Sequence, residues 1–354
     1  MSVKKLKECD RLSLALSDMK LPTRLVLLAL TVMLVLVMLL VLSSIGAVDK
    51  ARSRASFMTG YYAFRTGLQH IPIIHFKTMY LPSRFTLLPE LLKRQGYATH
   101  VVGKSVAMLF ARRAVEIIDN HNPKKPLFLY LPLQAVHSPI ENGATPEYAG
   151  NNWPLRGGKF SLWEGGTRVP GFVYSRTLLK KTGYTSNELI HAVDWFPTIL
   201  HLAGKSAGDH VDGLNLWRTL SEGEPSPRTE FVYNIDEVDQ NAAIRMGDYK
   251  LIVGEPGRFN DWYPLPQNGT PLPEEYPLWK LGRFQKLFPE YQLYNVKDDP
   301  TEKNDLAEEH PELVQTMLQR LKRYQRLVVP SQNPGVSAAS LPHNFGGVWS
   351  PGWC

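Results

Sequence analysis

Apolar positions along the chain fall into three patterns. From Leu25 to Val48 they run on without a single charged residue. A run of that length exceeds both the ~20 residues that cross a bilayer and the ~7–15 of a signal-peptide core, so it predicts a transmembrane helix. Short helix-periodic and short solid segments then alternate. Leu87 to Gln95 is helix-periodic and stops at Gly96, and Thr99 to Val102 reads as a strand with Lys104 just past its end. Met108 to Asp119 reads as a helix, and Leu127 to Leu131 is continuously apolar, the mark of a fully buried strand, with His137 beyond its carboxyl end. Glu188 to Leu202 predicts a helix that ends at Gly204 despite Pro197. Beyond about Ser206 the pattern changes to short strands such as Lys250 to Val253, loops rich in Gly, Pro and Trp from Gly254 to Leu281, and an amphipathic helix from about Pro311 to Leu327. That helix places Leu313, Met317, Leu321 and Tyr324 on one face, with Pro in its first turn. The residues after Pro330 read as coil, and neither an internal repeat nor a low-complexity tract occurs.

Alternating strands and helices predict an α/β unit followed by a smaller α+β one, and 354 residues with 44% apolar and 21% charged content suffice for a large core. Open α/β sheets bind ligands outside the carboxyl ends of their strands, where Lys104 and His137 fall. The formal charge of +7 is partly that of residues 1–24, whose basic residues outnumber their acidic ones. Positive-inside bias therefore makes 1–24 a cytosolic tail, 25–48 a signal anchor and the remainder lumenal or extracellular, in the secretory pathway. A cleaved signal peptide is the alternative, given the small residues at Ser43, Ser44, Gly46 and Ala47. Cys9 and Cys354 are the only cysteines, and on the anchored topology they lie on opposite sides of the membrane, so no intrachain disulfide is expected. Asn268-Gly269-Thr270 is a glycosylation sequon. The mildly basic balance suits an anionic substrate, and no Lys/Arg cluster reads as a nucleic-acid patch.

Three blocks carry a family resemblance. Ser53-Arg54-Ala55-Ser56-Phe57-Met58-Thr59-Gly60 resembles the second half of the sulfatase signature C-x-P-S-R-x-x-x-x-T-G, with Lys50 and Arg52 at the cysteine and proline positions. Gly96-Tyr97-Ala98-Thr99-His100-Val101-Val102-Gly103-Lys104 resembles the second signature, whose usual continuation Trp-His is here Ser105-Val106. Gly150 to Lys159, running on through Glu164-Gly165-Gly166-Thr167-Arg168, resembles the lysine-bearing segment of arylsulfatases of the B/I/J type. The resemblance extends from Ser53 to the end, but segments that relatives carry before the first block, after Lys104 and after His137 are absent. It implies a truncated, alkaline-phosphatase-like sandwich, with 51–205 as catalytic-type domain and 206–354 as C-terminal subdomain.

In sulfatases, the resemblance implies, a hydrated formylglycine made from the cysteine attacks the sulfate ester on a calcium ion. Carried over position by position, Arg54 orients the nucleophile, Lys104 and Lys159 are leaving-group or sulfate lysines, and His137 binds sulfate. Such cations stabilise charge that builds on the sulfuryl and leaving oxygens. Calcium would fall to Glu141 and Asn142, one carboxylate and one amide, where the ion prefers six to eight oxygens, so binding should be weak. Taken singly, a lysine after a strand-end glycine is ordinarily solvated, His137 before Ser-Pro could be a turn residue bonded to the backbone, and Asn142-Gly143 is a turn dipeptide. The family blocks single them out. Sulfuric ester hydrolysis of aryl sulfates or sulfated glycans is the implied reaction, and neither Lys50 nor Arg52 can become an aldehyde. The expectation is therefore a membrane-anchored sulfatase relative with little or no turnover. Two alternatives stay open: a non-catalytic binder of sulfated glycans, and a chain that does not fold stably because missing strands leave sheet edges unpaired.

Overall fold

The structure, a computed structural model, describes residues 50–70, 79–102, 107–132, 152–158, 160–257, 260–262, 288–335 and 337–347. The apolar run 25–48 and the sequon at Asn268 lie outside them. Among the described residues no helix is long and apolar enough to cross a membrane.

The first part is a minimal βαβ unit with helices around it. Helix α1 spans Lys50–Thr59, and a single turn, α2, spans Ala63–Thr66. Helix α3 (Leu88–Arg94) begins with Pro89 in its first turn and is followed by Gly96 in the left-handed conformation, φ 85°. Strand β1 (Ala98–Val101) then pairs in parallel with β2 (Leu127–Tyr130), and α4 (Ala107–Asp119) forms the crossover between them. The solid apolar segment is buried as its pattern predicts, with Leu127, Phe128 and Tyr130 inside. Phe57 of α1, Leu88 and Leu92 of α3 and Phe128 and Tyr130 share a core with Phe196, Ile199 and Leu200.

The helix predicted over Glu188–Leu202 is shorter than its pattern suggests. Residues 183–191 are irregular and mostly exposed, a 3₁₀ turn covers Ala192–Asp194, and α6 covers Trp195–Leu202, after the short α5 at Glu164–Thr167. A reciprocal cap starts the 3₁₀ turn: the Asp194 carboxylate accepts from the His191 N–H at 2.7 Å, and the His191 ring accepts from the Val193 N–H at 3.4 Å. Pro197 thus sits in the first turn, where its missing donor costs nothing.

The second part is a four-stranded antiparallel meander. Following α7 (Trp217–Glu222), strands β3 (Glu230–Asp236), β4 (Asn241–Met246), β5 (Tyr249–Val253) and β6 (Tyr291–Asn295) pair in sequence order. Both faces are covered, which the alternation of side chains makes visible. Ala242, Ile244, Leu251 and Leu293 face α8 (Pro311–Gln325), together with Tyr62, Phe64 and Val193 from the first part. Ala243, Ile252 and Tyr294 face the other way, onto Leu162 and Trp163. Helix α8 buries Val314, Met317 and Leu321, while Leu313 and Tyr324 lie at its margin. Glu230 fastens it to β3, accepting from the Arg320 Nε–H at 2.7 Å and the Tyr324 hydroxyl at 2.9 Å.

Candidate functional site

Of the residues expected to act, Arg54 is described; Lys104, His137, Lys159, Glu141 and Asn142 lie outside the described residues. Arg54 stands half-buried on α1, its guanidinium close to the Tyr130 hydroxyl at the end of β2. Burial pushes the Tyr130 phenol above its ordinary value, and the Arg54 charge offsets part of that rise. The Tyr130 ring also stacks on Phe57, centroids 5.4 Å apart.

The end of α1 explains the Thr-Gly pair of the first block. Thr59 Oγ1 donates back to the Ala55 carbonyl at 2.7 Å, and Gly60 turns left-handed at φ 75°. A Cβ on Gly60 would lie 2.8 Å from the Phe196 ring, so only glycine lets α1 pack on α6. The Gly60 carbonyl accepts from the backbone of Asp212 and Gly213. Asp212 in turn takes the Tyr62 N–H at 2.8 Å and the Arg65 guanidinium at 2.5 Å. Arg228 completes this frame with two bonds to the buried Asp194 carboxylate and one to the Asp212 carbonyl. Burial, assisted by the Arg228 charge, holds the His191 imidazole down to about 3, so this ring is a neutral cap and not an acid catalyst.

The carboxyl ends of β1 and β2 lie side by side, Val101 opposite Tyr130, with a further bond from the Val102 N–H to the Tyr130 carbonyl. In the sequence Lys104 follows β1 and His137 follows β2, and Arg54 stands beside Tyr130 at the carboxyl end of β2.

The segment flanking Lys159 is built differently, against the second sheet. Gly158 and Ser161 form a closed turn, with Ser161 Oγ donating to the Gly158 carbonyl at 2.8 Å and the Ser161 N–H donating to the same carbonyl at 3.1 Å. Phe160 inside that turn has φ 70°, and Leu162 donates to the Pro256 carbonyl at 2.7 Å. Glycines at 165 and 166 are obligatory: a Cβ on either would come within 2.4 Å of a backbone oxygen, of Arg156 and Ser161 respectively. Trp163 is fully buried, with the Arg156 guanidinium 3.6 Å from its ring centre and its Nε1–H bonded to Asn260 at 2.8 Å.

Beneath this turn lies a charged cluster that the sequence reading missed. Lys250 on β5 is wholly buried, its Nζ 3.0 Å from Glu164 and 2.8 Å from Glu302. Tyr233 donates its hydroxyl to Glu164 at 3.0 Å, and Glu302 accepts the Glu164 N–H at 2.6 Å. Burial raises both acids, but Lys250, helped by Arg245 and Tyr233, brings Glu164 below the ordinary carboxylate range. Burial and the neighbouring Glu164 leave Glu302 pushed up to about 7. The cluster anchors the turn, since Lys250 points to the same face of the sheet as Ile252, towards Trp163. The available sequence signal was Glu164 inside an otherwise apolar and glycine segment.

Among the described residues one group of side chains could hold a metal ion: His70, Asp236 and Asp239. None of them was expected to do so.

Comparison with known proteins follows these features. The Sulfatase family profile matches residues 46–115 and 141–205. Arylsulfatase J of Mus musculus is 29% identical over 434 aligned positions, covering 84% of this chain and 72% of the relative. That alignment is longer than the chain, so the relative carries segments with no counterpart here. N-acetylgalactosamine-6-sulfatase of Mus musculus is 22% identical, covering 79% of this chain and 78% of the relative. Among solved structures, Ps i-CgsB in complex with k-i-k-neocarrahexaose superposes with a TM-score of 0.64 at 18% identity, covering 84% of this chain and 86% of that one. A sulfatase from Pseudoalteromonas sp. gives 0.59 at 16% identity, covering 80% and 81%. These likenesses place the fold as the mixed α/β, alkaline-phosphatase-like one.

Proposed function

We propose, for a chain that belongs to the sulfatase family, that it binds sulfate esters of glycans or aryl compounds and turns them over little or not at all. The observation that carries this is the composition of α1. The helix keeps Arg54 and Thr59, with Gly60 turning the chain at its end, and it carries Lys50 where a sulfatase has the cysteine that becomes its nucleophile. Without an aldehyde hydrate no sulfated enzyme intermediate can form, and binding and electrostatic assistance are what remain. Arg54, Lys104, His137 and Lys159 are the cations proposed to hold the sulfuryl oxygens.

Sulfatases bind a divalent metal, and family resemblance makes it calcium. The donors that this chain offers at the corresponding place, Glu141 and Asn142, do not fit that ion, because two oxygen-bearing side chains fall far short of its coordination number. Binding of the sulfate by fixed cations does not depend on it. The apolar run 25–48 is proposed to anchor the chain in a membrane of the secretory pathway, with the sulfate-binding part lumenal or extracellular.

Retention of the full chain on immobilised heparin tests the binding reading. The expected result is elution at elevated salt that shifts to markedly lower salt when Lys104 and Lys159 are changed together to Ala. The charge-matched change of exposed Lys124 and Lys125 should leave it nearly unchanged. Equal shifts in both pairs would reduce the interaction to net charge and overturn the proposal.

A further inference from the structure

We propose that His70, Asp236 and Asp239 form a site for a first-row divalent cation, which ties the segment after α2 to the β3–β4 turn. This site shares no residue with Glu141 and Asn142 and does not depend on the sulfate-binding reading. Its geometry is set by two local structures. After Gly67, left-handed at φ 81°, the chain is laid on β3: the Gln69 carbonyl accepts from Asn234 Nδ2 at 2.9 Å. Asn234 and Asp236 stand two residues apart in regular register, opposite Ala243 and Asn241, so both side chains project from one face of β3. Asp236 Oδ1 also accepts from the Val238 and Asp239 N–H groups at 3.0 and 3.1 Å, which winds the turn around the carboxylate and brings Asp239 alongside it.

The result is an imidazole and two carboxylates with their donor atoms within 4.8 Å of one another. His70 Nδ1 lies 3.1 Å from both oxygens of Asp236 and 3.7 Å from Asp239 Oδ2. An ion with bonds of about 2.0–2.2 Å holds tetrahedral ligand atoms roughly 3.3–3.6 Å apart, and these spacings bracket that value.

A second observation points the same way. Gln69 Oε1 and Asn234 Oδ1 are buried and lack a hydrogen-bond donor among the described residues, on side chains 0% and 3% exposed. Neither amide is free to flip. Gln69 Nε2 is held by both oxygens of Glu237 at 3.0 and 2.9 Å and by the Val329 carbonyl at 2.7 Å, and Asn234 Nδ2 is held by Gln69. Asn234 Oδ1 belongs to the face of β3 that carries Asp236, where water in a cation's coordination shell would supply the missing donor. Asp236 also lines a groove of about 380 Å³, together with Glu237. One nitrogen with two carboxylates suits zinc, manganese or ferrous iron, whereas calcium and magnesium favour oxygen alone.

Zinc is the probe. The purified full chain is stripped with chelator, equilibrated with micromolar zinc and passed through a desalting column, and bound metal is read by mass spectrometry of the elements. One zinc retained per chain is expected, with a rise in thermal midpoint over the stripped protein. Asp239→Asn, at a side chain 60% exposed, should fold as the parent does without metal and lose retention at least tenfold. His70→Gln should lose it as well. A wild-type chain that retains no zinc, or a variant of either residue that retains zinc as the wild type does, would overturn the site.

Discussion

Lys250 is the residue whose role was least legible from its neighbours. In the sequence it opens the short apolar strand Lys250 to Val253. In the structure it is wholly buried between Glu164 and Glu302. Alternation predicts which face it takes but not that two carboxylates from distant segments meet it there. Lys250→Met should therefore cost about 3–5 kcal/mol, because it strands two buried acids, and a denaturant melt would show it. Glu302 adds a pH signature. Its folded value of about 7 lies above the ordinary 4.5, so its contribution to stability is full in acid and is lost as pH rises through about 7. Glu302→Gln removes that titration, so its stability relative to the parent should improve from pH 5 to pH 8, by on the order of 1–3 kcal/mol. His191, held low, has the opposite slope below its ordinary 6.5, but this is common to both proteins and cancels in the difference. Thermal midpoints of the two proteins that run parallel across this range would refute the assignment.

At the scale of elements, pattern reading succeeded where burial alone decides. The strand Leu127–Tyr130, the helices α3 and α4, and Met317 and Leu321 on α8 follow from apolar spacing. It failed where a local hydrogen bond decides: the helical path starts at Ala192, in the 3₁₀ turn that runs into α6, and not near Glu188, because His191 and Asp194 cap each other. The Glu-Gly-Gly turn shows how a specific motif can be structural. Its glycines let the backbone of Arg156, Gly158 and Ser161 pack directly against it. Gly166→Ala should push that backbone aside and lower the salt at which the chain leaves heparin, while the far-UV spectrum stays that of the parent. Unchanged retention would separate the turn from sulfate binding.

Across the whole molecule the two parts differ in completeness. Among the described residues the antiparallel sheet is covered on both faces, whereas the parallel sheet has two strands and leaves Val101 69% exposed. Phe172 and Tyr174, after the lysine turn, are 57% and 71% exposed in an irregular stretch. Exposed apolar groups of this kind fit a chain lacking segments that its relatives possess. Limited proteolysis should accordingly cut first between residues 168 and 190 and leave a fragment that contains β3 to α8; first cleavage inside the sheet would contradict this. The family blocks made the fold legible, but the frame of Arg228, Asp194 and Asp212 that joins the parts was invisible to spacing. The most direct test of the account is turnover of a chromogenic aryl sulfate by the purified full chain beside an intact arylsulfatase. The account predicts release at the background rate, because Lys50 cannot supply the attacking oxygen; release at a rate near that of the intact enzyme would contradict it.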